Sequence, residues 1–148
     1  MSIHQFPNEQ KIMESLPEEW ISSPFSNFLE IDLDTQDGDT VFLLQYRDGF
    51  MGNPSLEAFH GGIVAIFIET SAQLYLHSTG DGGRLQEAET LTVDFLRPSV
   101  ASEGPLLAVP AIVRQGKNIS ILSVNVFQKE KMVATGKAIF VANRDNQI

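Results

Sequence analysis

The sequence contains no cysteine. Disulfides, thiolate metal sites and a cysteine nucleophile are therefore excluded. Histidine is scarce, with only His4, His60 and His77. No pair of ligand-type residues stands at a zinc-like spacing, so no metal is expected. Basic residues are few: ten Lys and Arg face nineteen Asp and Glu, a formal net charge of −9. Affinity for a nucleic-acid backbone comes from clustered Lys and Arg, so no nucleic-acid partner is expected. An anionic small ligand is still compatible with this charge, because a few local cations can hold it. No apolar run approaches the roughly 20 residues of a membrane span. The start, MSIHQFPNEQ, has no basic stretch followed by an apolar one and does not read as a signal peptide. These absences leave a soluble cytoplasmic protein as the default. Also missing are the G-x-S-x-G nucleophile elbow, the P-loop and G-x-G-x-x-G.

What is present is one domain's worth of ordinary globular sequence, 148 residues of which 43% are hydrophobic. Residues 8–20 (NEQKIMESLPEEW) space Ile12, Met13, Leu16 and Trp20 for a short amphipathic helix, with Pro17 as an interruption. Ser22–Pro24 reads as a break. Phe28–Asp34 alternates apolar and acidic residues, as a half-exposed strand does. An Asp37-Gly38-Asp39 turn leads to a second strand, Thr40–Tyr46. Residues 48–59 are loop-like. His60-Gly61-Gly62 then opens IVAIFIETSAQLYLHS, which is too long for a strand and apolar on nearly every face. Such a helix belongs inside a core. Asp81-Gly82-Gly83 ends it.

Strands are expected at about 87–97, 104–115, 118–129 and 131–142, joined by tight turns. Leu91, Val93 and Phe95 alternate with Thr90, Thr92 and Asp94, giving a buried and a wetter face. Pro110 implies an edge position or a bulge. This order predicts an α+β fold with an antiparallel sheet around a long central helix.

Glu69 is the anomaly, because it stands mid-helix after Ile66, Phe67 and Ile68. A buried carboxylate must be paired, hydrogen-bonded or neutralised. One reading puts it on the helix's single polar stripe with Gln73 at i+4. The other makes it a general base or nucleophile of tuned acidity. The glycines at the helix start let a ligand approach free N–H groups, and those donors suit a carbonyl becoming an oxyanion. Gly61-Gly62 could equally serve close packing, and His60 could be a cap. Gly61 and Glu69 are eight residues apart, about 12 Å along a helix axis. Both must lie roughly 3 Å from one reacting carbonyl to act on it. Two antiparallel copies of the helix across a two-fold axis solve this, so an active site here implies at least a dimer.

The stretch GNPSLEAFHGGIVAIFIETSAQ, followed by LTVDFLRP, resembles the hot-dog acyl-CoA thioesterases of the PaaI-like group. The resemblance spans roughly residues 25–142. It implies a single hot-dog domain over residues 1–148, with 1–24 as an N-terminal helical extension. It implies an acyl-CoA substrate, no cofactor beyond the CoA that substrate carries, and a homodimer or homotetramer. It also implies roles: Gly61 N–H polarises the thioester carbonyl, Glu69 is base or nucleophile, His60 begins the motif and Asn53 assists the carbonyl. Glu at this position resembles the branch of the Arthrobacter-type 4-hydroxybenzoyl-CoA thioesterase. Gly62, Thr70, Gln73 and Thr90 are the expected substrate-binding neighbours. Gln73 stands where some members carry Thr, and Ala88 where others carry Ser, with Thr90 on the same face. Arg97, Arg114 and Lys117 are candidate phosphate contacts or ordinary surface charge. Phe25, Phe50, Met51, Phe59 and Tyr75 are candidate pocket or core residues.

Two other readings stand beside the thioesterase. One is a hot-dog enoyl-CoA hydratase or dehydratase: Glu69–Gln73 superficially resembles the helix of acyl-carrier-protein dehydratases, although Met51–Phe59 lacks the histidine those enzymes place in a loop. A non-catalytic acyl-CoA-binding protein is the third.

Overall fold

The computed structural model describes residues 16, 18–79 and 85–142. The helix expected over 8–20 falls mostly outside these residues, as does the Asp81–Gly83 stop. Among the described residues two short helices come first, α1 (Glu18–Ile21) and α2 (Pro24–Leu29). The β1–β2 hairpin follows, Asp32–Gln36 and Asp39–Leu44. A small pair, β3 (Met51–Asn53) and β4 (Ala58–Phe59), leads into the long helix α3 (Gly61–Ser78). The strands β5 (Ala88–Phe95), β6 (Leu106–Gln115), β7 (Ile119–Gln128) and β8 (Lys131–Val141) follow.

Six strands form one antiparallel sheet in the order β1-β2-β6-β7-β8-β5. Helix α3 lies across β5, β6, β7 and β8. Its Phe67, Ile68, Ala72, Leu74 and Leu76 join Leu122, Val124, Val126, Ala138 and Phe140 in one buried core. Gly136 of β8 sets how deeply the helix sits. A Cβ there would fall 2.7 Å from Ile68 Cγ2 and 3.1 Å from the Thr92 carbonyl oxygen. A sheet curled around a central helix is the hot-dog architecture expected above.

The strand expected from Phe28 is a helix up to Leu29. Ser23 caps it by accepting the Ser26 N–H at 3.0 Å, Pro24 opens it, and Glu30 ends it in the left-handed region at φ 49°. Pro110 lies inside the sheet but has a ladder partner on one side only. It pairs with Val124 of β7, while pairing with β2 stops at Ala108. A register shift follows between Ile112 and Arg114. β5 is an edge strand, so Leu91 and Val93 are only half-buried, and Phe95 is 58% exposed rather than in the core.

Candidate active site

The start of α3 is fixed by several bonds. His60 is the N-cap, with extended backbone (φ −64°, ψ 136°), and its Nδ1 accepts the Gly62 N–H at 2.9 Å. An imidazole that accepts at Nδ1 carries its proton on Nε2. The His60 carbonyl accepts the Ile63 and Val64 N–H groups at 2.9 and 3.1 Å. Of the first-turn donors this leaves Gly61, whose N–H has no partner among the described residues. It is exposed at the positive end of an 18-residue helix.

The segment before the helix holds that start in place. The His60 N–H donates to the Phe50 carbonyl at 2.7 Å. In the β3–β4 pair, Met51 faces Phe59 and Asn53 faces Ala58, so Gly52 is an extra, bulged residue. It packs on His60 so closely that no side chain fits between them. Asn53 is exposed, and its Oδ1 accepts the Ser55 N–H at 3.0 Å, closing its own turn.

Glu69 lies on a half-covered row of α3 with Ile66, Gln73 and His77, a row that begins at exposed Gly62. Burial pushes its carboxyl above the usual carboxylate range, and the like charge of Glu87 adds to this. No donor or cation among the described residues is paired with it. Gln73 Nε2 donates to the Gln86 carbonyl at 2.6 Å, tying the segment before β5 to the helix one turn from Glu69.

Other expected contacts lie elsewhere. Thr70 is 3% exposed and belongs to the buried face, so it offers a ligand no surface in this chain. Thr90 does not share a face with Ala88. The register slips between them, pairing Ala88 with Phe140 but Thr90 with Ile139. Ala88 and Leu91 therefore pack on the core, while Thr90 points to the outer face. Phe50 and Phe59 are core residues, Met51 and Phe25 are exposed, and Tyr75 is half-buried.

Arg97 is two residues beyond β5, whose last residue, Phe95, lies against Gly61. Arg114 and Lys117 flank the β6–β7 turn. Gln115 Nε2 ties that turn to Thr79 Oγ1 at 3.0 Å, at the other end of a helix about 27 Å long. One chain therefore does not gather the three cations.

Two neighbours of the site were not foreseen. Gly52 had only its place in a glycine-containing loop to mark it, and Glu87 becomes a neighbour only through folding. An open crevice of about 320 Å³ lies elsewhere, lined by Leu29, Glu30, Ile31, Asp32, Gln45 and Arg47, and it contains no candidate residue. Among the described residues, no cluster of His, Asp and Glu could hold a metal, and no helix is long and apolar enough to cross a membrane.

The sequence pattern of the thioesterase superfamily matches residues 57–135, the span from β4 into the first half of β8. No curated protein matches the chain. Solved structures share the fold across nearly the whole chain. The E. coli PaaI protein from the phenylacetic acid degradation operon is 22% identical, with a TM-score of 0.73, over 90% of this chain and 94% of that one. A phenylacetic acid degradation-related protein from Ralstonia eutropha is also 22% identical at a TM-score of 0.73, over 91% and 98%. A Bacillus halodurans protein solved with CoA is 20% identical at 0.72, over 95% and 94%. The chain belongs to the thioesterase superfamily, with a PaaI-like hot-dog fold.

Proposed function

We propose that the protein hydrolyses acyl-CoA thioesters, with Glu69 of one copy acting on a carbonyl held at Gly61 of a second. The observation that carries this reading is the Gly61 N–H. Every later donor of the first turn is bonded, so among the described residues the helix start presents one free N–H in a fixed direction. That suits a single carbonyl oxygen on its way to an oxyanion. Glu69 supplies the complementary group, a carboxylate with raised proton affinity on the same helix's half-covered row.

The two groups are about 12 Å apart along one axis, too far to meet on one carbonyl. An antiparallel partner helix brings the partner's Glu69 level with Gly61 and covers the open row of both. Glu69 takes a proton from water as the water oxygen bonds to the thioester carbon. The carbonyl electrons move to the oxygen held by Gly61 N–H. The intermediate collapses, the carbon–sulfur bond breaks, and the thiolate takes the proton back from Glu69. The products are a carboxylic acid and CoA, and no further cofactor is required. Direct attack by Glu69 through an anhydride would use the same two groups. The CoA bound to the Bacillus halodurans neighbour supports a CoA-type ligand.

The test is thiol release from aryl and short-, medium- and long-chain acyl-CoAs. Wild type should turn over part of the panel, and Glu69→Gln should lose roughly a hundredfold or more in kcat. Undiminished hydrolysis by that variant would overturn the role of Glu69. Binding without turnover by wild type would favour the non-catalytic reading.

A further inference from the structure

Phe95 is far more open than Leu91 and Val93, which share its face of β5. Its ring lies against the helix start. A Cβ built on Gly61 would sit 3.4 Å from Phe95 Cζ and 3.5 Å from Cε1. A helical Cα–Cβ bond leans toward the N-terminus, the direction in which the Gly61 N–H also points. Whatever accepts that N–H therefore has the Phe95 ring as a neighbour.

The backbone on both sides of this contact is pinned. Phe95 pairs with Ala134 in the ladder, and the Leu96 and Arg97 N–H groups donate to the Val133 carbonyl at 2.9 and 3.3 Å. Gly61 is held by the His60 cap and the Gly52 bulge behind it. A site built on pinned strand and helix backbone keeps its width.

We propose that Phe95 is a specificity-determining residue, whose ring walls the carbonyl subsite at Gly61 and excludes acyl groups branched beside the thioester carbonyl. This rests on the thioesterase reading above. With the carbonyl oxygen on Gly61 N–H, the α-carbon lies two bonds away, within van der Waals reach of the ring. A methylene can pass the ring edge. A second carbon substituent needs the volume the ring already fills.

The experiment compares kcat/KM for butyryl-CoA and α-methylbutyryl-CoA in wild type, Phe95→Ala and Phe95→Leu. Wild type should prefer the unbranched substrate by about tenfold or more, the range one carbon commands in an apolar pocket. Phe95→Ala should bring the two rates close together by raising the branched one, and Phe95→Leu should fall between. The smaller truncation also keeps the test informative if the alanine variant folds poorly. An unchanged ratio in active variants, or equal rates in wild type, would overturn the role of Phe95 and leave the thioesterase reading standing. Failure of wild type to hydrolyse any acyl-CoA would overturn both.

Discussion

Gly52 lies directly against His60: a Cβ added to Gly52 would fall 2.6 Å from the His60 Cα and 3.0 Å from its Cβ. The obstructing atoms are backbone and the stiff base of a ring, so nothing flexible can yield. The contact fixes the residue whose side chain and carbonyl together claim the N–H groups of Gly62, Ile63 and Val64. Gly52→Ala should therefore overpack this joint and cost about 1–3 kcal/mol. Urea denaturation would measure it, and a variant as stable as wild type would show that the bulge can relax.

Gly61 offers a substitution that removes one N–H and little else. Proline is favoured at the first helical position. It demands extended backbone of its predecessor, which His60 already has. Gly61→Pro should fold, yet lose roughly 10²–10³-fold in kcat. Gly61→Ala keeps the N–H and meets only the exposed Phe95 ring, so it should retain far more activity. Equal activity in the two variants would remove Gly61 from the role of donor.

The acid limb of the pH–rate profile should report Glu69. A base works ionised, and this carboxyl is raised by burial first and by Glu87 second. Activity should therefore fall with acidification at a pH above the usual carboxylate range. Glu87→Gln removes the like charge, lowers the proton affinity of Glu69 and should move that limb to lower pH. A limb that stays in place would mean the Glu87 charge does not reach the site.

The same shift has a stability consequence of opposite sense to most acids. A raised folded-state pKa means the folded protein holds the proton more tightly than the unfolded chain does. The Glu69 contribution is most favourable below its unfolded value and declines as pH rises through its folded value. Glu69→Gln should then melt higher than wild type at neutral pH, and the gap should narrow on acidification. A variant less stable at neutral pH would indicate a hydrogen-bond partner for the carboxylate.

Helix α3 and strands β6 to β8 were legible because their patterns are unmixed. The helix is apolar all round after a Gly-Gly start, and the strands alternate between clear turns. Helix α2 was hidden because Leu29 falls into the two-residue period of Ile31 and Leu33 beyond it. The Ser23 cap and Pro24 outweighed that period. Ala88 was read onto the face of Thr90 because the slipped register between them reverses the side chains before it. Glu69 and Gly61 stood out by residue type alone, an acid among apolar neighbours and glycines at a helix start. Glu87, Gly52 and the closeness of Phe95 to Gly61 arise from chain crossings that no local pattern encodes.

The most direct test of a site shared between two chains is subunit mixing. Glu69→Gln and Gly61→Pro should each be inactive alone. In a mixed dimer one site regains both Glu69 and the Gly61 N–H, while the other loses both. Random exchange at equal amounts should therefore restore roughly a quarter of wild-type acyl-CoA hydrolysis. A mixture as inactive as its separate components would contradict the shared site.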